Sequence, residues 1–174
     1  MGLHKIHNEM DITTHNQKVW QEYYKNQAEL FFMPSERLTS FYEGTLLLNV
    51  SSGNFLDIGC GTGRHMVYFS RLGFECYGLD TSQEALKIAK QFLQSKNARA
   101  KFIEANVSRL PFKEEHFDLL LAWGVFHHLS KCDRDTAKNE IYRVLRPGGW
   151  VIGSLRSITD SMCGQGIEIC HATY

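Results

Sequence analysis

Phe55-Leu56-Asp57-Ile58-Gly59-Cys60-Gly61-Thr62-Gly63-Arg64 reads as a short buried strand, a glycine-rich turn and the opening of a helix. The helix carries Met66, Val67, Phe69 and Leu72 on its apolar side. Glycine has no Cβ, so the backbone can take positive φ and let another molecule come close. The following helix offers unpaired N–H groups and the positive end of its dipole. Strand, glycine turn and helix N-terminus in that order make a cradle for a small ligand. A dinucleotide fingerprint spaces its glycines G-x-G-x-x-G; here that third position is Arg64, and Gly63 comes one residue early.

Downstream, strand alternates with helix. Gly73 closes the first helix, and residues 75–80, ECYGLD, read as a second strand ending in an acid. A carboxylate at that strand end is suited to accept hydrogen bonds from both hydroxyls of a ribose, with helix capping as the plain alternative for Asp80. Thr81-Ser82-Gln83-Glu84 has the form of a capping box and opens a helix with Ala85, Ala89 and Phe92 on one face. Residues 101–106, KFIEAN, form a third strand, and 117–123, FDLLLAW, an apolar run expected of a strand covered on both faces. After Gly124-Val125-Phe126-His127-His128-Leu129, Asp133 caps a helix carrying Ala137, Ile141, Val144 and Leu145. Arg146-Pro147-Gly148-Gly149 ends that helix, and residues 150–155 are the fifth strand. The alternation predicts a doubly wound, mostly parallel α/β sheet with helices on both faces and right-handed crossovers. Its ligand should lie at the carboxyl ends of the first two strands, at the switch point.

Asp57 with its G-x-G-x-G turn, Asp80, Leu110-Pro111-Phe112, the 124–129 segment and Leu145-Arg146-Pro147-Gly148-Gly149 occur in that order. Over roughly residues 54–156 this resembles the class I S-adenosylmethionine-dependent methyltransferases of the small-molecule type, domains of the 11 and 25 kind. The resemblance implies a Rossmann-like methyltransferase fold, S-adenosylmethionine as cofactor and S-adenosylhomocysteine as product. It also implies a cofactor-binding set of Asp57, Gly59, Cys60, Gly61, Gly63, Asp80, Thr81, Asn106, Val107 and Trp123. Asn106 stands where the family usually has an acid that meets the adenine amino group, and Val107 follows with a backbone contact to a ring nitrogen. An amide oxygen accepts the same hydrogen bond more weakly than a charged acceptor; the alternative is that Asn106 only shapes a turn. Leu110-Pro111-Phe112 is a packing feature that closes the adenine side.

Two adjacent histidines cannot both face one site. His127 is therefore the candidate general base on a substrate hydroxyl or amine, and His128 the candidate structural histidine bonded to backbone. A sulfonium methyl is already activated, so catalysis mostly needs alignment and exclusion of water. Relatives that methylate adenine or guanine amines carry Asn or Asp, Pro-Pro and an aromatic after the fourth strand, where this chain has Trp123-Gly124-Val125-Phe126. The Pro-Cys nucleophile of the cytosine type is missing too, which leaves O-, N- or S-methylation of a small molecule. The alternative is a non-catalytic S-adenosylmethionine-binding regulator or partner subunit; a nicotinamide oxidoreductase is disfavoured by the glycine spacing.

Residues 1–50 are expected to form an N-terminal tail and lid, 51–157 the cofactor-binding core and 158–174 a C-terminal segment. Residues 1–14 read as a loose tail with His4, His7 and His15 solvated. A helix over 16–32 carries Trp20, Tyr23, Tyr24, Leu30 and Phe31; Pro34 breaks it, and Ser35 caps a second helix to about residue 48 with Leu38, Phe41, Tyr42 and Leu46 on one face. As a lid these helices would bring Trp20, Tyr23, Tyr24 and Arg37 to the substrate; otherwise they simply pack on the sheet. The 158–174 segment is too short for the strands that usually complete this fold. Either the chain is truncated, or the open edge invites association into a homo-oligomer.

The 174 residues suit one domain with a real core. With net charge zero and scattered basic residues, nucleic acid is a disfavoured partner. A leader is not evident and no apolar run approaches the roughly 18 to 20 residues of a spanning helix, so no membrane is expected and the reading is cytoplasmic. The five cysteines lack a C-x-x-C pair and suit free thiols; Cys163, Cys170 and His171 match no zinc spacing, so no metal is expected.

Overall fold

The computed structural model describes residues 9–26 and 31–157, with the backbone alone for residues 9–14. In chain order the elements are α1 (Glu9–Asn26), α2 (Glu36–Phe41), a π turn (Tyr42–Leu46), β1 (Asn54–Ile58), α3 (Arg64–Arg71), β2 (Glu75–Asp80) and α4 (Gln83–Ser95). They continue with β3 (Ala100–Glu104), β4 (Phe117–Ala122), a 3-10 turn (Phe126–His128), α5 (Lys131–Val144) and β5 (Leu145–Gly153). The five strands lie in the order β3-β2-β1-β4-β5 and every pair is parallel. Strand order reverses between β1 and β4, which opens a crevice at their carboxyl ends.

Period-two side-chain alternation decides the layers. Phe55 faces one side of the sheet, while Leu56 and Ile58 face the other. On the first side, Leu38, Tyr42 and Leu46 join Met66 and Phe69 of α3 and Leu93 of α4 over Phe55, Cys76, Leu119 and Leu121. Phe55 and Phe69 stack with ring centroids 4.2 Å apart. On the second side, Ala137, Ile141 and Val144 of α5 cover Leu56, Ile58, Leu120 and Ala122. Each large apolar side chain so buried stabilises the fold by about 1.5–3 kcal/mol. Tyr42 is fully buried, and its hydroxyl donates to the Val50 carbonyl at 2.6 Å, so its polar end is satisfied.

Several local expectations need correction. Helix α1 begins at Glu9, inside the expected tail, and ends at Asn26 rather than running to residue 32. Its position comes from polar tethers to the core, which apolar periodicity does not report. His15 is exposed as expected, whereas His4, His7 and Leu30 lie outside the described residues. Leu38, Tyr42 and Leu46 are buried at four-residue spacing, but Phe41 falls off that stripe and is 49% exposed. Leu72, at the end of α3, also turns outward.

Ser82, not Thr81, caps α4, accepting from the Ala85 N–H at 3.2 Å. Ser130, not Asp133, caps α5: its hydroxyl accepts from the Asp133 N–H at 3.1 Å and donates to the Asp133 carboxylate at 2.9 Å. Strand β3 ends at Glu104, before Asn106. The 146–149 turn lies inside β5 as a bulge, since Leu145 pairs with Phe117 and Trp150 with Leu119. There Gly148 takes φ +77° and Arg146 reaches back to pair with Asp118. Among the described residues no strand follows β5, and the readings of 158–174, Cys163, Cys170 and His171 fall outside them. No described helix is long and apolar enough to cross a membrane, and no described cluster of His, Cys, Asp and Glu could hold a metal ion.

Candidate functional site

The glycine turn after β1 lies against the carboxyl end of β2. Asp80 fixes the two together: its Oδ2 accepts from the Gly61 N–H at 2.9 Å and its Oδ1 from the Ser82 N–H at 2.9 Å. Each carboxylate oxygen keeps a further lone pair for another donor. Gly59 and Gly61 take φ +65° and +52°, in the left-handed region. A Cβ on Gly59 would lie 2.7 Å from the Val125 side chain, and one on Gly61 2.5 Å from the Tyr24 hydroxyl. Both glycines border a cavity of about 230 Å³.

Helix α1 roofs this cavity. Asn16 donates to the His128 carbonyl at 3.2 Å on one rim, and Gln17 donates to the Thr81 carbonyl at 3.0 Å on the other. Gln21 accepts from the Ser82 hydroxyl at 3.0 Å. Below them Trp20 meets Tyr23, Tyr24 and His128 at ring-centroid distances of 5.6, 6.3 and 4.9 Å. Phe31 closes the same side, with the Arg64 guanidinium 5.4 Å from its ring centroid and its carbonyl accepting from the Thr62 hydroxyl at 2.5 Å.

The floor is acidic and buried. Burial, then the Asp80 charge, pushes the Asp57 carboxyl well above the usual carboxylate range, against the Arg64 charge. Asp80 is also raised by burial, opposed by the backbone N–H groups of Ser82, Gly61 and Thr81. Burial, then Asp80 and Asp57, raises the Cys60 thiol, and burial followed by Asp80 raises the Tyr24 phenol. His65 is pushed down to about 3 by burial and then by Arg64, so its ring is neutral. At the cavity mouth, desolvation first, then His127 and Arg156, lowers His128 to about 4.

Of the expected residues, Gly59, Cys60, Gly61, Asp80, Thr81, Asn106, Val107 and Trp123 border the cavity, as do Trp20, Tyr23 and Tyr24. Asn106 spends one lone pair on its own turn, accepting from the Ser108 N–H at 2.9 Å. Asp57, Gly63, Arg37 and His127 are outside the lining. Asp57 lies beneath the turn, 1% exposed, and Arg37 is exposed on α2. Gly63 faces α4, where a Cβ would come 2.7 Å from Leu93 and 3.1 Å from Ala89, so helix packing requires this glycine. The cavity-facing histidine at the β4 end is His128 rather than His127, because the 3-10 turn rotates the pair. Leu110, Pro111 and Phe112 are outside the lining as well; Phe112 packs on Tyr77 and Phe117.

The lining residues that the sequence reading missed include Asn16, Gln17, Thr62, Arg64, His65 and Asp133, together with the apolar Phe31, Val125 and Leu129. Arg64 and His65 follow the glycine turn directly, so the helix start was a usable signal; Asn16 and Gln17 had none.

A methyltransferase domain family model matches residues 56–153, the span from β1 to β5. Methyltransferase GfsG of Streptomyces halstedii is 34% identical over 119 residues, covering 66% of this chain and 41% of that protein. The O-methyltransferase rstn1 of Aspergillus nomiae is 35% identical over 117 residues, covering 66% and 51%. The chain thus spans about two-fifths to one-half of these curated relatives. The crystal structure of the PH0226 protein from Pyrococcus horikoshii superposes with a TM-score of 0.64 at 25% identity, over 76% of this chain and 64% of that one. With the family model covering more than half of its length and the parallel sheet in the matching order, this chain belongs to the S-adenosylmethionine-dependent methyltransferase domain family.

Proposed function

We propose that this protein binds S-adenosylmethionine under α1 and moves its methyl group to an oxygen, nitrogen or sulfur atom of a small molecule. The observation that carries the reading is Asp80, a carboxylate pinned by two backbone N–H groups at the wall of a cavity whose floor is the glycine turn. The residues fit the cofactor. Asp80 has lone pairs for two ribose hydroxyls, Asn106 and Val107 border the adenine end, and Gly59 and Gly61 admit close approach of the amino-acid end.

When bound, S-adenosylmethionine supplies an activated methyl group on a sulfonium. The protein's part is positional. Trp20, Tyr23 and Tyr24 give the acceptor an aromatic wall that suits a flat or apolar small molecule, and α1 keeps water out. His128 takes the proton of a hydroxyl or ammonium acceptor; its ring is neutral at physiological pH and borders the cavity. The relative rstn1 is named an O-methyltransferase, and a hydroxyl acceptor suits the His128 base equally.

Calorimetric titration with S-adenosylhomocysteine tests the cofactor half, with a one-to-one isotherm in the micromolar range expected. Labelled methyl transfer across phenols, alcohols, amines and thiols tests the other half. An absence of heat and of thermal stabilisation would overturn the reading.

A further inference from the structure

The cavity leaves little room for the methyl acceptor. Its volume of about 230 Å³ falls below the roughly 300–1,000 Å³ of small-molecule pockets, and the cofactor placed there above spans it from Asn106 to the glycine turn. Only the reacting end of an acceptor fits inside, and the rest of it meets the surface at the mouth.

That mouth is marked by side chains that border the cavity and also face solvent. Phe31 borders it and is 64% exposed, and Tyr23, one helical turn after the exposed Val19, borders it too. Phe31 opens a run of three apolar side chains on the surface, with Phe32 40% and Met33 78% exposed. Single exposed apolar residues are ordinary, but a run of them continuous with a ligand cavity has the form of a binding groove. The run is also anchored. The Phe31 carbonyl accepts from the Thr62 hydroxyl at 2.5 Å, and the Phe32 ring meets Phe92 of α4 at 4.8 Å between centroids. A platform fixed on two helices costs little further ordering when a ligand lies on it. The nearby cations Arg64 and Lys96 are engaged over the Phe31 and Phe92 rings, at 5.4 and 5.7 Å, and the chain has no net charge. Continuity with the cavity and this weak charge favour the acceptor itself over an anionic bilayer as the occupant.

We propose that the methyl acceptor is an amphipathic small molecule whose reacting polar end enters beneath α1 while an aliphatic tail leaves past Tyr23 and lies on Phe31, Phe32 and Met33. This rests on the methyl-transfer reading above and names the class of its acceptor.

The test uses 4-alkylphenols from ethyl to hexyl, titrated into the chain with and without S-adenosylhomocysteine. A fully buried methylene is worth about fourfold in affinity and one laid on an open platform about twofold, so wild type should bind the hexyl compound about 16-fold more tightly than the ethyl one. Met33→Ser and Phe32→Ser should each cut that ratio to about fourfold or less, and Met33→Leu should keep it. Leu48→Ser, which removes a fully exposed apolar side chain elsewhere, should also keep it. A wild-type ratio near one would overturn the acceptor class. A ratio unchanged in Met33→Ser and Phe32→Ser, or equally reduced in Leu48→Ser, would overturn the platform. Sedimentation of wild type, but not Met33→Ser, with phosphatidylglycerol vesicles in place of a chain-length effect would assign the patch to a bilayer and overturn the proposal. The S-adenosylhomocysteine isotherm of the same preparation reports separately on the cofactor reading.

Discussion

The Asp80 carboxylate is bonded to the Gly61 N–H at 2.9 Å, joining the end of β2 to the turn after β1. One side chain thereby shapes the cradle and presents acceptors to it. This dual role changes what its removal should do. Asp80→Ala withdraws two charge-assisted hydrogen bonds from a ribose, about 1.5–3 kcal/mol each, so S-adenosylhomocysteine affinity should fall by about 10² to 10⁴-fold. It also strands the N–H groups of Gly61 and Ser82, so the melting temperature should fall too. Titration beside thermal unfolding checks both, and unchanged affinity would show that the ribose lies elsewhere.

The two later glycines of the turn should separate by phenotype. Gly63→Ala forces a Cβ against Leu93 and Ala89 at φ +75° and should destabilise the fold by about 2–4 kcal/mol, from left-handed strain plus overpacking. Gly61→Ala meets only the tip of Tyr24, so its stability loss should be smaller and its ligand-affinity loss larger. Urea unfolding and ligand titration of both variants would expose a reversed order.

His65 should impose a pH dependence of known sign. Burial and then Arg64 lower its pKa from 6.5 to about 3, so between those values the unfolded chain binds more protons than the folded one. Its contribution to stability is therefore present above about pH 6.5 and is lost as pH falls, at no more than about 1.4 kcal/mol per pH unit. Relative to wild type, His65→Gln should gain stability between pH 6.5 and 5. Parallel unfolding curves at every pH would contradict the burial of this ring in its neutral form.

The docking of α1 should depend on its amides. Gln17→Ala with Gln21→Ala removes the bonds to Thr81 and Ser82, each worth about 0.5–1.5 kcal/mol. Hydrogen exchange in α1 should quicken by roughly fivefold to a hundredfold, while β1, β2 and β4 keep their protection. Sheet protection falling with that of α1 would mean that the two unfold as one unit.

Turnover should distinguish the adjacent histidines. His128→Asn should lower kcat by about 10² to 10⁴-fold at neutral pH on a hydroxyl acceptor, with S-adenosylhomocysteine affinity nearly unchanged. His127→Asn should lower kcat less. The opposite order, in steady-state rates with the best acceptor found, would return the base to His127.

The alternation of strands and helices, the glycine turn and the acid ending β2 were all written in local sequence. Each depends on near neighbours: period-two burial, positive φ, or a strand end whose place in a parallel sheet follows from chain order. Asp80, Gly59 and Gly61 therefore reach the cavity where the sequence placed them. Other features rest on contacts between segments far apart in the chain, which no local pattern carries. Gln17 and Gln21 look like surface amides until α1 lies over Thr81 and Ser82, and Gly63 looks like part of the ligand turn until Leu93 packs against it. Which of His127 and His128 faces inward depends on the rotation of one short 3-10 turn. The pairing of Asp57 with His65 was equally hidden: one ends a strand and the other starts a helix, and only the fold of the turn between them sets their side chains 3.8 Å apart with no water-exposed surface to relieve them.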